Sequence, residues 1–123
     1  MTTLLFVAAG STLGAPLRYV LDRLIQSQHE RVFPWGTWTI NISGSFLLGL
    51  LTATWNHHGI NDSVRIGVVT GLLGAYTTFS TFTWETMRLV EDRAWAAAIM
   101  NVAVSISVGT AAAGVGLMLG SLS

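Results

Sequence analysis

The chain alternates between long apolar segments and short polar ones. Four segments are mainly apolar over about 20 residues or more, the length that an α-helix needs to cross a bilayer. They cover about residues 4–25, 35–55, 64–90 and 94–122. The polar segments between them are too short to fold by themselves. The pattern therefore predicts an all-α membrane protein with four transmembrane helices in a single domain, residues 1–123.

Composition agrees with this class. The chain is 51% hydrophobic and 10% charged, whereas soluble domains are about 25% charged. Its cationic residues are all arginines, balanced by as many acidic residues, so it offers no basic patch for nucleic acid. The first apolar segment lacks a basic leading region, and we interpret it as a first span and not a cleaved signal.

The third apolar segment has an irregular composition. Between Gly71 and Phe82 it carries two glycines, four hydroxyl side chains and a pair of phenylalanines. A helix can loosen at membrane depth only where protein or a water-filled pathway satisfies the freed backbone groups. The segment therefore predicts a break in the third helix, at a place where something polar crosses or binds.

Three polar residues inside the spans each allow two interpretations. Asn41 can tie helices together, which is favoured when it is taken alone, or it can offer two N–H donors to an anion. Arg18 can reach the membrane interface with Asp22 as its i+4 partner, or form a cationic vestibule that attracts anions. Glu85 can be an interfacial acid paired with Arg88 at i+3, or lie at the mouth of a pore.

Phe79 and Phe82 are three residues apart, hence on one helical face. Packing is the common explanation of such a pair. However, ring edges carry a partial positive charge and can contact a small anion. Because they carry no formal charge, they would not trap the ion. Hydroxyl side chains lie between and beside the two rings and would replace water around the ion: Ser80, Thr81 and Thr83.

Three motifs in three successive spans carry a resemblance to a known family. They are Gly14-x-x-x-Arg18-Tyr19, Gly36-Thr37-x-x-x-Asn41-x-x-Gly44-x-Phe46, and Gly71-x-x-Gly74-x-x-Thr77-Thr78-Phe79-Ser80-Thr81-Phe82. Together they resemble the Fluc/CrcB fluoride channels, and the resemblance covers nearly the whole chain. Each motif is weak singly, but the three in this order are specific.

The resemblance implies an antiparallel, dual-topology dimer with two fluoride pores along the subunit interface. By residue match, Phe79 and Phe82 form the aromatic box and Asn41 contacts the ion. The implied hydroxyl track consists of Ser80, Thr81, Thr83 and, from the fourth span, Ser105. The family also holds a structural sodium ion at the dimer centre through backbone carbonyls, which here match Gly74 and Thr77.

Two features depart from the family pattern. One turn beyond Ser105, where a second hydroxyl would continue the track, the chain has Gly109, with Thr110 next to it. The arginines are also unevenly distributed: Arg65 alone lies on the side of the termini, whereas four others lie near the first and third loops, namely Arg23, Arg31, Arg88 and Arg93. This bias predicts cytoplasmic first and third loops and external termini. The bias fits a chain with one orientation better than a chain with two orientations. A dimer of two different homologous chains therefore remains an alternative to the favoured homodimer.

Small residues recur in the second and fourth spans and allow close helix approach. They are Gly44, Ser45, Gly49, Gly109, Gly114, Gly116 and Gly120. Packing within one chain and packing between subunits explain them equally well.

The predicted function is a passive channel in the cell inner (plasma) membrane that exports cytoplasmic fluoride and so reduces its toxicity. A small multidrug-type exporter would need a carboxylate central in its first span, where this chain has Arg18. A structural membrane subunit would explain the glycines only. An enzyme is not expected, because every histidine falls in a segment between the predicted spans and no phosphate-binding loop is present.

Overall fold

The computed structural model describes residues 1–29 and 32–123, and all regular structure in these ranges is helical. The predicted all-α class is thereby confirmed. Arg31, one of the arginines in the predicted charge bias, lies outside the described residues. The elements are α1 (Thr2–Ser27), α2 (Trp35–His58), α3 (Asp62–Ile66), a π-helix (Gly67–Leu73), α4 (Gly74–Tyr76), α5 (Phe79–Glu91) and α6 (Trp95–Ser121).

Local signals in the sequence set the boundary between α2 and α3. Gly59 ends α2 in the left-handed conformation, with φ 60° and ψ 42°, and its N–H bonds the carbonyl of Trp55. Glycine adopts this conformation without the steric cost that a Cβ brings. Asn61 then begins α3 by accepting a hydrogen bond from the N–H of Ser63 at 2.9 Å, as a typical N-cap does.

The third span, predicted over about residues 64–90, occupies residues 62–91 and consists of one continuous helix, a break and a second helix. Its first part passes from α-helix to π-helix and back to α-helix, ending at Tyr76. Thr77 and Thr78 are extended, with ψ values of 161° and 121°. Helical geometry resumes at Phe79. The predicted break is confirmed, and it occupies two residues.

The helices pack as two pairs that the glycines make possible. α2 lies against α6, and α1 lies against the first part of the third span. A Cβ on Gly116 would overlap the Phe46 carbonyl, and one on Gly49 would overlap the Ala113 carbonyl. A Cβ on Gly114, in contrast, would meet nothing within 4 Å. Packing within the chain therefore explains Gly49 and Gly116 but leaves Gly114 without a role in it.

Most large apolar side chains point outward. Among the described residues, six apolar ones are buried: Ile40, Ala53, Leu73, Tyr76, Leu89 and Ala98. Two described helices, α1 and α6, are long and apolar enough by themselves to cross a membrane. α2 does not reach the mean hydropathy of these two helices over a membrane-spanning length, and the third span is interrupted. A mainly apolar exterior is the surface that a lipid environment favours.

Candidate ion pathway at the helix break

The amide of Asn41 hydrogen-bonds both backbone groups of Thr78 at the break. Its Nδ2 donates to the carbonyl of Thr78 at 2.8 Å, and its Oδ1 accepts from the N–H of Thr78 at 2.8 Å. Thr78 is 7% exposed, so neither backbone group could rely on bulk water. Asn41 thus links α2 to the third span by hydrogen bonds, which is the structural role that its sequence context favours when the residue is considered by itself. Its contact with an ion stays a prediction.

The break also redirects the amides that a continuous helix would use. In such a helix, Thr78 N–H would bond the Gly74 carbonyl and Thr81 N–H would bond the Thr77 carbonyl. Here Thr78 N–H donates to Asn41, and Thr81 N–H donates to the Thr78 hydroxyl at 3.2 Å. The carbonyls of Gly74 and Thr77 therefore lose their helical donors. These are the two carbonyls that the resemblance assigns to sodium.

The two phenylalanines lie in the first turn of α5, directly after the break. Their ring centroids are 5.9 Å apart and the ring planes are tilted by 39°. Phe79 is 77% exposed and Phe82 is half-buried. Because the rings pack on each other but leave Phe79 uncovered, packing within the chain does not account for the pair.

The predicted hydroxyls differ in whether their single proton is available. Thr83 donates its proton to the carbonyl of Phe79 at 2.5 Å, and so has none left for an anion. Thr81 accepts the proton of Thr78 at 3.0 Å and keeps its own. The Ser80 hydroxyl lies 3.4 Å from that of Thr78. Ser80 and Thr81 are therefore better placed as donors than Thr83.

The contribution of the fourth span to the hydroxyl track, which the resemblance assigns to Ser105, stays a prediction. Ser105 is half-buried on α6, and within the described chain no hydrogen bond engages its hydroxyl. At buried Gly109 a Cβ would lie 3.8 Å from the Ser45 Oγ. Ser45, which the sequence suggests only as a packing residue, bonds the Asn41 carbonyl at 2.8 Å. A hydroxyl of α2 thus lies near the glycine of the fourth helix, but its proton is committed to the Asn41 carbonyl, as that of Thr83 is to the Phe79 carbonyl.

One open groove of about 350 Å³ brings two of the predicted pore residues, Asn41 and Phe79, together with the predicted sodium-binding residues. The other predicted pore residues are not among its described lining residues: Ser80, Thr81, Phe82, Thr83 and Ser105. Its lining residues include Asn41, Gly44, Ser45, Gly74, Thr77, Thr78 and Phe79. Gly44 permits this arrangement, because a Cβ there would overlap the methyl group of Thr77. The candidate cation carbonyls and the candidate anion-contacting ring therefore border the same groove.

A larger cavity of about 1090 Å³ lies at the opposite end of α5. Glu85 lines it, whereas Arg18 is not among its described lining residues; its cationic residues are Arg23 and Arg88. Glu85 does not pair with Arg88, which instead lies 4.0 Å from Glu91. One carboxylate oxygen of Glu85 is buried without a hydrogen-bond partner among the described residues. The vestibule roles of Arg18 and Glu85 stay predictions.

Thr78 is the residue of the break whose structural part the sequence pattern does not reveal. It begins α5 as its N-cap, accepts from Thr81, and exchanges two hydrogen bonds with Asn41. The available signal was a threonine at the start of a helical segment, which is a common N-cap. That signal was hidden because a hydroxyl-rich run offers several equivalent candidates.

These features define a helical membrane protein with a polar site at a broken helix, the class that includes channels and carriers. Comparison with known proteins narrows the class. The chain belongs to the family described as CrcB-like protein, Camphor Resistance (CrcB), whose model matches residues 5–117.

Relatives of the chain carry consistent names. It is 46% identical to "Fluoride-specific ion channel FluC 1" of Streptomyces avermitilis, over 92% of this chain and 91% of the relative. It is 45% identical to the protein of the same name from Frankia casuarinae, over 94% and 93%. It is 39% identical to "Fluoride-specific ion channel FluC" of Magnetococcus marinus, over 95% and 96%.

Proposed function

We propose that the protein is a fluoride-selective channel that lets cytoplasmic fluoride leave the cell down its electrochemical gradient. The observation that carries this proposal is the exposed Phe79 and half-buried Phe82 beside the break that Asn41 stabilises. Aromatic edges and hydroxyl donors bind a small anion without a full positive charge, so the ion can leave again. The names of the relatives support fluoride as that anion.

The physical need for such a channel is an acid–base trap. Hydrogen fluoride crosses membranes as a neutral weak acid and ionises in the more alkaline cytoplasm. The anion cannot return through lipid, and a negative-inside potential drives it outward once a conducting route exists. A passive pore is sufficient, so the proposal needs no enzymatic step and no energy-coupling site. It places the protein in the cell inner membrane.

The proposed assembly is an antiparallel homodimer with two pores. The groove that Gly74, Thr77 and Phe79 line is open on the outer face of the chain, and a second copy would close it. Two such grooves facing each other would bring together two Gly74 and two Thr77 carbonyls. Backbone oxygens suit a hard cation such as sodium, and these carbonyls have lost their helical donors. They would hold a structural sodium ion.

The proposal is tested with purified protein in liposomes. We expect fluoride efflux with little chloride efflux, and a loss of fluoride flux of at least about tenfold in Phe79→Ile, because an aliphatic side chain has no positive edge. Asn41→Ala should reduce flux as well.

Phe6→Ile is a matched control, since Phe6 is a partly exposed aromatic residue of α1 away from the break. It should conduct like the wild type. Equal permeation of chloride and fluoride through the wild type, or unchanged fluoride flux in Phe79→Ile, would contradict the proposed function.

A further inference from the structure

Asn101 is a fully buried polar residue in the most apolar helix of the chain. It lies in α6 and is 1% exposed. Its Nδ2 donates to the hydroxyl of Thr86 in α5 at 2.9 Å. A buried amide in an apolar helix is unfavourable unless such a partner is present. The contact therefore joins two spans at a defined point.

The hydrogen bond continues from Thr86 to an aromatic residue of the candidate pore. Thr86 donates its single proton to the carbonyl of Phe82 at 2.7 Å. Its oxygen must then act as the acceptor for Asn101. The donor and acceptor roles are therefore consistent in both hydrogen bonds, from Asn101 to Thr86 and from Thr86 to the backbone of Phe82. We call these two linked hydrogen bonds, from Asn101 through Thr86 to Phe82, the Asn101 relay.

The relay matters because few apolar contacts hold α5 in place. Leu89 is the one buried residue of this helix, and the break separates α5 from the rest of its span. Its N-terminal end is fixed by Asn41 through Thr78. Thr86 lies eight positions further along, about 12 Å at the helical rise of 1.5 Å per residue. Phe79 and Phe82 lie between these two polar attachments.

The C-terminal end of α5 is joined to α6 through residues 92–94, where the N–H of Ala94 bonds the carbonyl of Leu89. The hydrogen bond from Asn101 adds a lateral attachment between the two ends, and this attachment restrains rotation of α5 about its own axis. We propose that Asn101 is a positioning residue that fixes the rotational setting of α5, and thereby the direction in which the Phe82 ring edge faces. This inference rests on the proposed function, because it concerns the selectivity of that pore. Asn101 itself need not touch the ion.

The decisive variant is Thr86→Val, which keeps the shape of the side chain but removes its donor and acceptor. We expect its fluoride-to-chloride flux ratio to fall about fivefold, the factor that one lost hydrogen bond typically gives. Asn101→Leu should give a similar decrease. The double variant should be no worse than either single one, because both break the same relay. Thr86→Ser keeps the hydroxyl and should restore the wild-type ratio.

Thr39→Val is the matched control. Thr39 bonds the carbonyl four residues earlier, that of Trp35, at 2.8 Å, just as Thr86 does, but it belongs to α2. Its flux ratio should equal that of the wild type. All variants are first compared by size-exclusion chromatography, so that ratios are read only from intact assemblies. If Asn101→Leu fails to assemble, Thr86→Val and Thr86→Ser decide the matter.

The outcomes separate the two proposals. A wild type that passes no fluoride contradicts the proposed function itself. A wild type that is selective for fluoride, together with an assembled Thr86→Val that keeps the same flux ratio, overturns the relay and leaves the channel proposal intact. Additive losses in the double variant would also overturn it, since independent sites add.

Discussion

At the scale of single residues, the side chain of Asn41 stabilises the helix break by hydrogen-bonding the backbone of Thr78. Both ends of its amide are committed to the backbone of Thr78. A mutation there would disturb the break as well as any ion contact. Loss of flux in an Asn41 variant is therefore weaker support for ion contact than loss of flux in a Phe79 variant, whose ring is exposed and makes no hydrogen bond to the backbone of the break.

Asn41→Ala should lower the free energy of unfolding by about 1–3 kcal/mol, because it leaves the buried N–H of Thr78 without its acceptor and removes the amide donor from the Thr78 carbonyl. The measurement is thermal unfolding of the purified protein in detergent. Asn56→Ala is the control: Asn56 is exposed near the end of α2, and its removal should change stability by less than about 0.5 kcal/mol. An Asn41 variant as stable as this control would show that the two bonds are dispensable.

At the scale of elements, the third span shows what a sequence can predict and what it cannot. Glycines and hydroxyls inside an apolar segment predict a break, because lipid tolerates such composition only at polar sites. They do not say which residues become extended, since that depends on Asn41 reaching Thr78 from another helix. The π-helix before the break has no distinct composition either. Similarly, Asn101 and Thr86 look unremarkable until α5 and α6 are placed side by side.

The packing of α2 on α6 gives a comparison between two glycines on one helix. Gly116→Ala would place a Cβ against the Phe46 carbonyl, whereas Gly114→Ala meets nothing within 4 Å. We expect the first to cost about 1–3 kcal/mol, as overpacking does. The second should be neutral or stabilising by up to about 1 kcal/mol, because alanine favours helix.

Thermal unfolding of the two purified variants under the same conditions checks this comparison. Equal destabilisation by both would mean that a surface outside the chain covers Gly114 as closely as Phe46 covers Gly116. Such a result would assign Gly114 to a subunit interface, the alternative that the sequence leaves open.

At the scale of the whole molecule, the arginine distribution and the proposed assembly make different predictions for the orientation of the chain in the membrane. The arginine bias favours one orientation, whereas the proposed antiparallel homodimer needs both. Arg65, on α3, lies on one side and Arg88, at the cavity end of α5, on the other. The chain has no cysteine, so a single introduced thiol can report its location without background.

His58→Cys and Asp92→Cys place thiols at exposed positions at opposite ends of the bundle. In a dual-topology dimer, a membrane-impermeant maleimide should label about half of each variant in spheroplasts, and all of it after permeabilisation. The two variants control each other. Full labelling of one and none of the other would exclude the homodimer and favour a pair of different chains with fixed orientations.

The two-residue break has an electrostatic consequence. The helix that ends at Tyr76 presents the negative end of its dipole at membrane depth, and α5 presents its positive end a few ångströms away. Each end carries roughly half an elementary charge, and in lipid that charge is poorly screened. A single interruption thus creates two opposite poles from neutral residues alone. One pole attracts a cation and the other an anion, and neither requires a formal charge that would hold the ion in place.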